Sequence, residues 1–227
     1  MSVIASTTTF RGCATGIATD FEFHPFDSGT VFDPAGRRYP VRGQRPLFYL
    51  VRRGQAAGTL DRALLDQARA AGAEVSFNDR VRSFGGAGVL ATGPRKAGII
   101  VIGHVFETDM ADGAWLALGH RLAPGGYAYL LVQGGRGTVA SCLFTGFRDQ
   151  AKYLSATEAF FTLHSGLQMR NPRPFGGFGN MRLPATAIQG GHAVIGEHAG
   201  FQDALAGFGM RYAICSGVLA ARAIIDG

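Results

Sequence analysis

Between positions 59 and 72 the apolar residues Leu60, Leu64, Leu65 and Ala68 recur at helical spacing. Thr59 supplies an N-cap and Gly72 a stop, so the pattern predicts a helix there. The period then changes: Glu74-Val75-Ser76-Phe77 alternates, which predicts a strand directly after the helix. Apolar runs at Gly88-Val89-Leu90-Ala91 and Gly98-Ile99-Ile100-Val101-Ile102 predict two more strands. From 114 to 144 the runs WLALG, YAYLLV and TVASCLF are divided by APGG and GGRG, which is the punctuation of antiparallel sheet. A helical period returns over 150–168, with Ala151, Leu154, Ala159, Phe160, Leu163 and Leu167 as its expected apolar face. RNPRPFGGFGN reads as a loop, His192-Ala193-Val194-Ile195 as a buried strand, and 205–225 as a long helix of small residues. The first fifty residues are rich in turns, and Asp33-Pro34-Ala35-Gly36 predicts a hairpin between Val31-Phe32 and Tyr39.

This order gives an α/β (α+β) fold: α/β material, a β-rich insert, then α/β material again. The expected division is 1–103 with 185–227 as a nucleotide-binding-like layer, and 104–184 as an antiparallel-sheet substrate region. The 227 residues are 47% hydrophobic and 17% charged with 34 glycines, the composition of a packed globular protein. No apolar run is long enough to span a bilayer, and the first residues lack a signal-peptide plan, so a cytoplasmic location is expected. Cys13, Cys142 and Cys215 are far apart and no CxxC or HExxH occurs, so neither a disulfide framework nor a metal site is expected. Cys142 and Cys215 read as packing residues. The net charge of +6 is scattered along the chain, which argues against nucleic-acid binding but leaves anionic ligands or an anionic membrane face open.

The densest chemistry lies in 196–217, GEHAGFQDALAGFGMRYAICSG. An apolar strand ends at Gly196, Glu197 follows, and glycines at 200, 207 and 209 permit close approach of backbone to a ligand. A helix starting near 207–210 would aim its first N–H groups at an anion or a polarised ring carbonyl.

From Val194 to Ala221 the sequence resembles the C-terminal flavin motif of the geranylgeranyl reductase group of FAD-dependent oxidoreductases, within the aromatic-hydroxylase-like superfamily. Gly196, Glu197, His198, Ala199, Gly200 and Phe201 take the places of its Gly-Asp-Ala-Ala-Gly-Phe; Gly207, Gly209 and Ser216-Gly217 fall in the following turn and helix. YLVRRGQAAGTLDRALLDQARAAGAEVSF resembles the family's arginine and Leu-Asp helix, with Arg53 as that arginine. VLATGPR resembles its Ala-Thr-Gly turn, with Thr92 and Gly93 beside the adenosine and diphosphate. APGGYAYLLVQGGRGTVA resembles its substrate-site motif, with Tyr127 and Tyr129 on one strand face, Tyr129 in place of Trp and Leu131-Val132 in place of Phe-Pro. The resemblance implies FAD held by Arg53, Thr92, Gly93, Glu197, Gly200, Gly207 and Gly209, and a hydrophobic substrate lined by Tyr127 and Tyr129. It also implies reduction of carbon–carbon double bonds in a polyprenyl or similar chain, and through that substrate a peripheral contact with membrane.

The chain departs from the family at informative places. It contains no Gly-x-Gly-x-x-Gly, so the βαβ unit that grips the FAD pyrophosphate is expected to be missing. Glu197 replaces an aspartate and His198 a small residue beside the flavin. Cys13, in Arg11-Gly12-Cys13-Ala14, resembles a loop cysteine facing the substrate, so Cys13 and His198 are the candidate proton donors; an ordinary buried cysteine and a satisfied structural histidine are the competing readings, the former favoured for Cys13. An α/β layer without its first unit exposes an edge, which predicts a homodimer. Two other functions stay open: a flavin-free module that binds hydrophobic ligands, and a hydrolase, although no Gly-x-Ser-x-Gly elbow is present.

Overall fold

The computed structural model describes residues 2–4, 16–83, 85–94, 96–180, 186–203 and 207–226. They divide into two compact units, one from 1–25, 48–95 and 182–227, the other from 26–47 and 96–181.

The first unit holds a small sheet in the order β1 (Ser2–Ile4), β5 (Phe48–Val51), β2 (Phe23–Phe26). Against β5 lies α1 (Leu60–Ala70), where Phe21, Tyr49, Val51, Leu60 and Ala63 form one core cluster. Thr59 caps α1 as its sequence predicts, accepting from Arg62 N at 3.4 Å, and its buried hydroxyl donates to the carbonyls of Gly54 (2.6 Å) and Ala56 (2.8 Å). A second sheet runs β12 (Ile188–Gln189), β13 (His192–Val194), β6 (Val89–Leu90), with β13 and β6 parallel. The last helix, α3, spans Met210–Asp226 and so begins five residues later than its small-residue pattern suggests.

Residues 74–77 are not a strand. They are exposed coil, with Phe77 at 65% exposure, because among the described residues no neighbouring strand offers the ladder that an alternating segment needs. Cys215, on α3, is disulfide-bonded, which corrects its reading as a simple packing residue.

The second unit is a seven-stranded mixed sheet in the order β11 (Arg170–Gly179), β7 (Ile99–Glu107), β10 (Arg136–Leu143), β9 (Tyr127–Gln133), β8 (Gly113–Leu118), β3 (Ser28–Phe32), β4 (Arg38–Arg42). All pairs are antiparallel except β3 with β8. The β3–β4 hairpin turns at the predicted Asp33, whose carboxylate accepts from Ala35 N (2.8 Å) and Arg37 N (2.9 Å). The proline- and glycine-rich segment expected to be a loop is instead the ten-residue strand β11. It lies at the sheet edge, where an N–H lost to proline need not serve a second neighbour.

One face of this sheet packs on α2 (Gln150–Ser165). Phe32, Phe106, Leu130, Val132, Val139 and Phe161 form the core there, and alternation places Ser141, His104 and Trp115 on the same face. The buried face of α2 runs through Thr157 and Phe161, one residue round from the expected stripe, and Leu163 is exposed. The polar groups on this face are matched: Ser141 Oγ and Thr157 Oγ1 lie 2.9 Å apart. His104 has Nδ1 2.6 Å from Glu158 Oε1 of α2.

Candidate functional site

In the first unit, chain direction and pairing bring the sequence-predicted residues together. β6 and β13 run parallel, and Ile195 N donates to Leu90 O at 3.0 Å, so both chains leave the sheet at the same end. The turn after β6 carries Thr92 and Gly93; the turn after β13 carries Glu197 and His198. Thr92 Oγ1 and His198 Nδ1 are 3.0 Å apart, which joins the two turns. The carboxyl ends of parallel strands are where open α/β sheets receive ligands, because the loops there diverge and leave a crevice.

Gly196 has φ +57, and a Cβ added to it would lie 3.2 Å from Ala213 Cβ. Its N–H donates to Ser216 Oγ of α3 at 3.0 Å, so this turn sits hard against the helix. Residues 196–199 form one turn of 3-10 helix, closed by Gly200 N to Glu197 O (3.0 Å) and Phe201 N to Gly196 O (3.0 Å). Gly207 N donates to Asp203 O at 2.9 Å, and Gly207 to Gly209 lead into the amino end of α3. Gly93, at φ +75, has open space where a side chain would be, so backbone is presented bare at the end of β6.

Arg53 reaches the same end of α3, with Nη1 3.6 Å from Met210 Sδ. Its other nitrogens are committed to Asp61: Nε donates to Oδ2 at 2.7 Å and Nη2 to Oδ1 at 2.6 Å. Gly54 N adds a third bond to that carboxylate, at 2.7 Å. The Arg53 bonds foremost, with help from Gly54 N, hold the Asp61 carboxyl below its ordinary range against the opposing effect of partial burial. Asp61 is thus both the acid in the first turn of α1 and the clamp on Arg53.

Gln202 is a site residue that sequence reasoning missed. Its side-chain amide lies against Gly209, and Nε2 is buried with no hydrogen-bond partner among the described residues. A buried donor without a partner is costly, and an oxygen of a bound group would satisfy it. The only sequence signal was its place between the two glycine turns.

In the second unit Tyr127 and Tyr129 lie on the sheet face turned away from α2, their rings 6.3 Å apart. Tyr127 stands opposite Cys142 on β10 and bonds its thiol, while Ala140 stands opposite Tyr129. Burial pushes the Cys142 thiol up to about 11 despite that bond, and pushes the Tyr129 phenol above its usual range. Neither group is ionised near neutrality. Cys13 lies outside the described residues. No group of three or more metal-ligating side chains occurs among the described residues, nor any helix long and apolar enough to cross a membrane.

The fold matches part of that of the FAD-dependent monooxygenase and geranylgeranyl-reductase-like flavoproteins. A geranylgeranyl bacteriochlorophyll reductase-like protein from Thermoplasma acidophilum matches 99% of this chain with a TM-score of 0.69 at 17% identity, over 67% of its own length. A flavin-dependent brominase matches 98% of the chain (TM-score 0.64, 14% identity, 68% of its length). The p-nitrophenol 4-monooxygenase of Pseudomonas putida also matches 98% (TM-score 0.64, 13% identity, 69% of its length). At these identities the likeness is one of fold, and the chain spans about two thirds of each neighbour. No family model and no curated protein sequence matches it.

Proposed function

We propose that this chain is an FAD-dependent reductase that saturates carbon–carbon double bonds in a polyprenyl or similar hydrophobic substrate. The observation that carries the reading is the convergence of the Thr92-Gly93 and Glu197-His198 turns at the carboxyl ends of β6 and β13, bonded to one another and facing the loop that enters α3. The residues present fit a flavin there: bare backbone at Gly93, a buried amide donor at Gln202 without a partner among the described residues, and the first N–H groups of α3 for an electron-rich ring edge. Arg53, Thr92, Gly93, Glu197, Gly200, Gly207 and Gly209 would hold the cofactor.

When bound, reduced flavin supplies a hydride to one carbon of the double bond. The chain's part is to place the substrate along the Tyr127-Tyr129 face and deliver a proton to the other carbon. His198 is the proposed donor, and the product is the saturated bond with the flavin oxidised. A homodimer, a cytoplasmic setting and peripheral contact with membrane complete the proposal.

The test is the visible spectrum of the purified protein after incubation with FAD and gel filtration, followed by reduction assays on polyprenyl substrates. Retained flavin that is lost in Gly93→Val and Gln202→Leu supports the reading; absence of retained flavin refutes it. A second reading, a flavin-free module for hydrophobic ligands, is favoured by one specific feature. Arg53, the arginine expected on the cofactor, has both Nε and Nη2 occupied by Asp61.

A further inference from the structure

The face of the seven-stranded sheet turned away from α2 is apolar along most of its length and changes character at one end. Its interior carries Tyr127, Tyr129, Leu131, Cys142 and Ala140, with Phe175 of β11 lying over Gly103. Toward the end where β9 and β10 meet, alternation brings Thr138, Arg136 and Arg173 onto that face. Gly137, between the first two, points the other way, so that a Cβ on it would strike Phe106 in the core under α2. Thr138 pairs across the ladder with Val105, and Val105 with Arg173, while Arg136 lies two residues along β10 from Thr138. Strand spacings of about 4.8 Å put both arginine side chains within reach of one point above Thr138.

Two observations single out this corner. Thr138 is 3% exposed, yet its hydroxyl has no hydrogen-bond partner among the described residues, whereas Ser141 and Thr157 on the opposite side of the sheet satisfy each other. Arg136 and Arg173 make no ion pair among the described residues, although the nearby Arg170 is held by Asp109. Glu107, opposite Arg136, accepts from Asn171 Nδ2 at 3.2 Å, and Gln133 stands on its other side. A hydroxyl donor and two guanidinium forks at the end of an apolar track match a hydrophobe that ends in an oxyanion.

We infer that Thr138, Arg136 and Arg173 form a subsite for the phosphate or carboxylate head of the hydrophobic ligand, whose chain lies along the Tyr127-Tyr129 track. This rests on the proposal that the sheet face takes a hydrophobe, and deepens it by assigning the ligand's polar end.

Isothermal titration of the full chain with farnesol, farnesyl monophosphate and farnesoate separates the two ideas. The expected result is that the phosphate or the carboxylate binds roughly tenfold or more tightly than the alcohol, the scale of one charge-assisted contact. That preference should shrink as salt rises, fall away in the Arg136→Gln, Arg173→Gln double variant, and drop in Thr138→Val but recover in Thr138→Ser. Which head is preferred distinguishes a phosphate from a carboxylate ligand. Equal binding of all three probes overturns the subsite and leaves the hydrophobic track standing. A preference that persists in the double variant also overturns it, because the head is then held elsewhere. Binding of none of them overturns both the subsite and the track.

Discussion

Replacing Asp61 by Asn tests the Arg53 clamp. The carboxylate offers two oxygens to three donors, Arg53 Nε, Arg53 Nη2 and Gly54 N, at 2.6–2.7 Å. Asparagine keeps one acceptor oxygen and turns an NH2 toward a guanidinium. The Arg53 and Asp61 side chains are 43% and 40% exposed, so solvent screening limits the ion pair itself to under about 1 kcal/mol. The bond to Gly54 N–H adds about 1 kcal/mol, giving a loss of about 1–2 kcal/mol and a melting point lower by about 2–8 °C. The pH dependence has a definite sign. Asp61 titrates lower in the folded chain than its unfolded value of about 3.9. Its stabilisation is therefore fully present above about pH 4 and is lost as pH falls through the folded value. Thermal melts of both proteins from pH 7 to pH 3 should show a gap that closes at the acid end and narrows in high salt. A gap of the same size at every pH, or none at pH 7, would refute the argument.

Three further outcomes follow from the second unit. Thr157→Val leaves the Ser141 hydroxyl buried and unmatched and should cost about 1–3 kcal/mol in denaturant unfolding, with much of the loss recovered on adding Ser141→Ala. Gly103→Ala should prevent stable folding, seen as loss of soluble expression. Its Cβ would overlap the Val139 carbonyl and sit 2.7 Å from Ala140 Cβ and 2.8 Å from Phe175. Cys142 should resist alkylation at pH 8 until the protein is denatured. Since its thiol stays protonated to about 11 when folded, while the unfolded thiol ionises from about 8.5, stability should decline across that interval and the decline should vanish in Cys142→Ala.

Much of this molecule is written locally. The Thr59 cap and the spacing of Leu60 and Leu64 specify α1, the Asp33 turn specifies the β3–β4 hairpin, and alternation in YAYLLV puts Tyr127 and Tyr129 on one face. These are properties of period, cap and turn, which act between residues a few positions apart. The glycine turns at 196–209 were equally legible, because a tight reversal beside a helix demands glycine at Gly196 whatever lies around it.

Tertiary structure decided the rest, because partners distant in the chain set it. Residues 74–77 alternate like a strand but pair with no neighbour among the described residues, while the prolines and glycines of β11 become a strand because β7 supplies a ladder and the edge tolerates them. The engagement of Arg53 by Asp61, of Thr92 by His198 and of His104 by Glu158 joins side chains up to 106 positions apart. The unmatched groups of Gln202 and Thr138 were likewise invisible in sequence. Whether a polar atom is satisfied depends on everything packed around it, and that is determined only when the chain has folded.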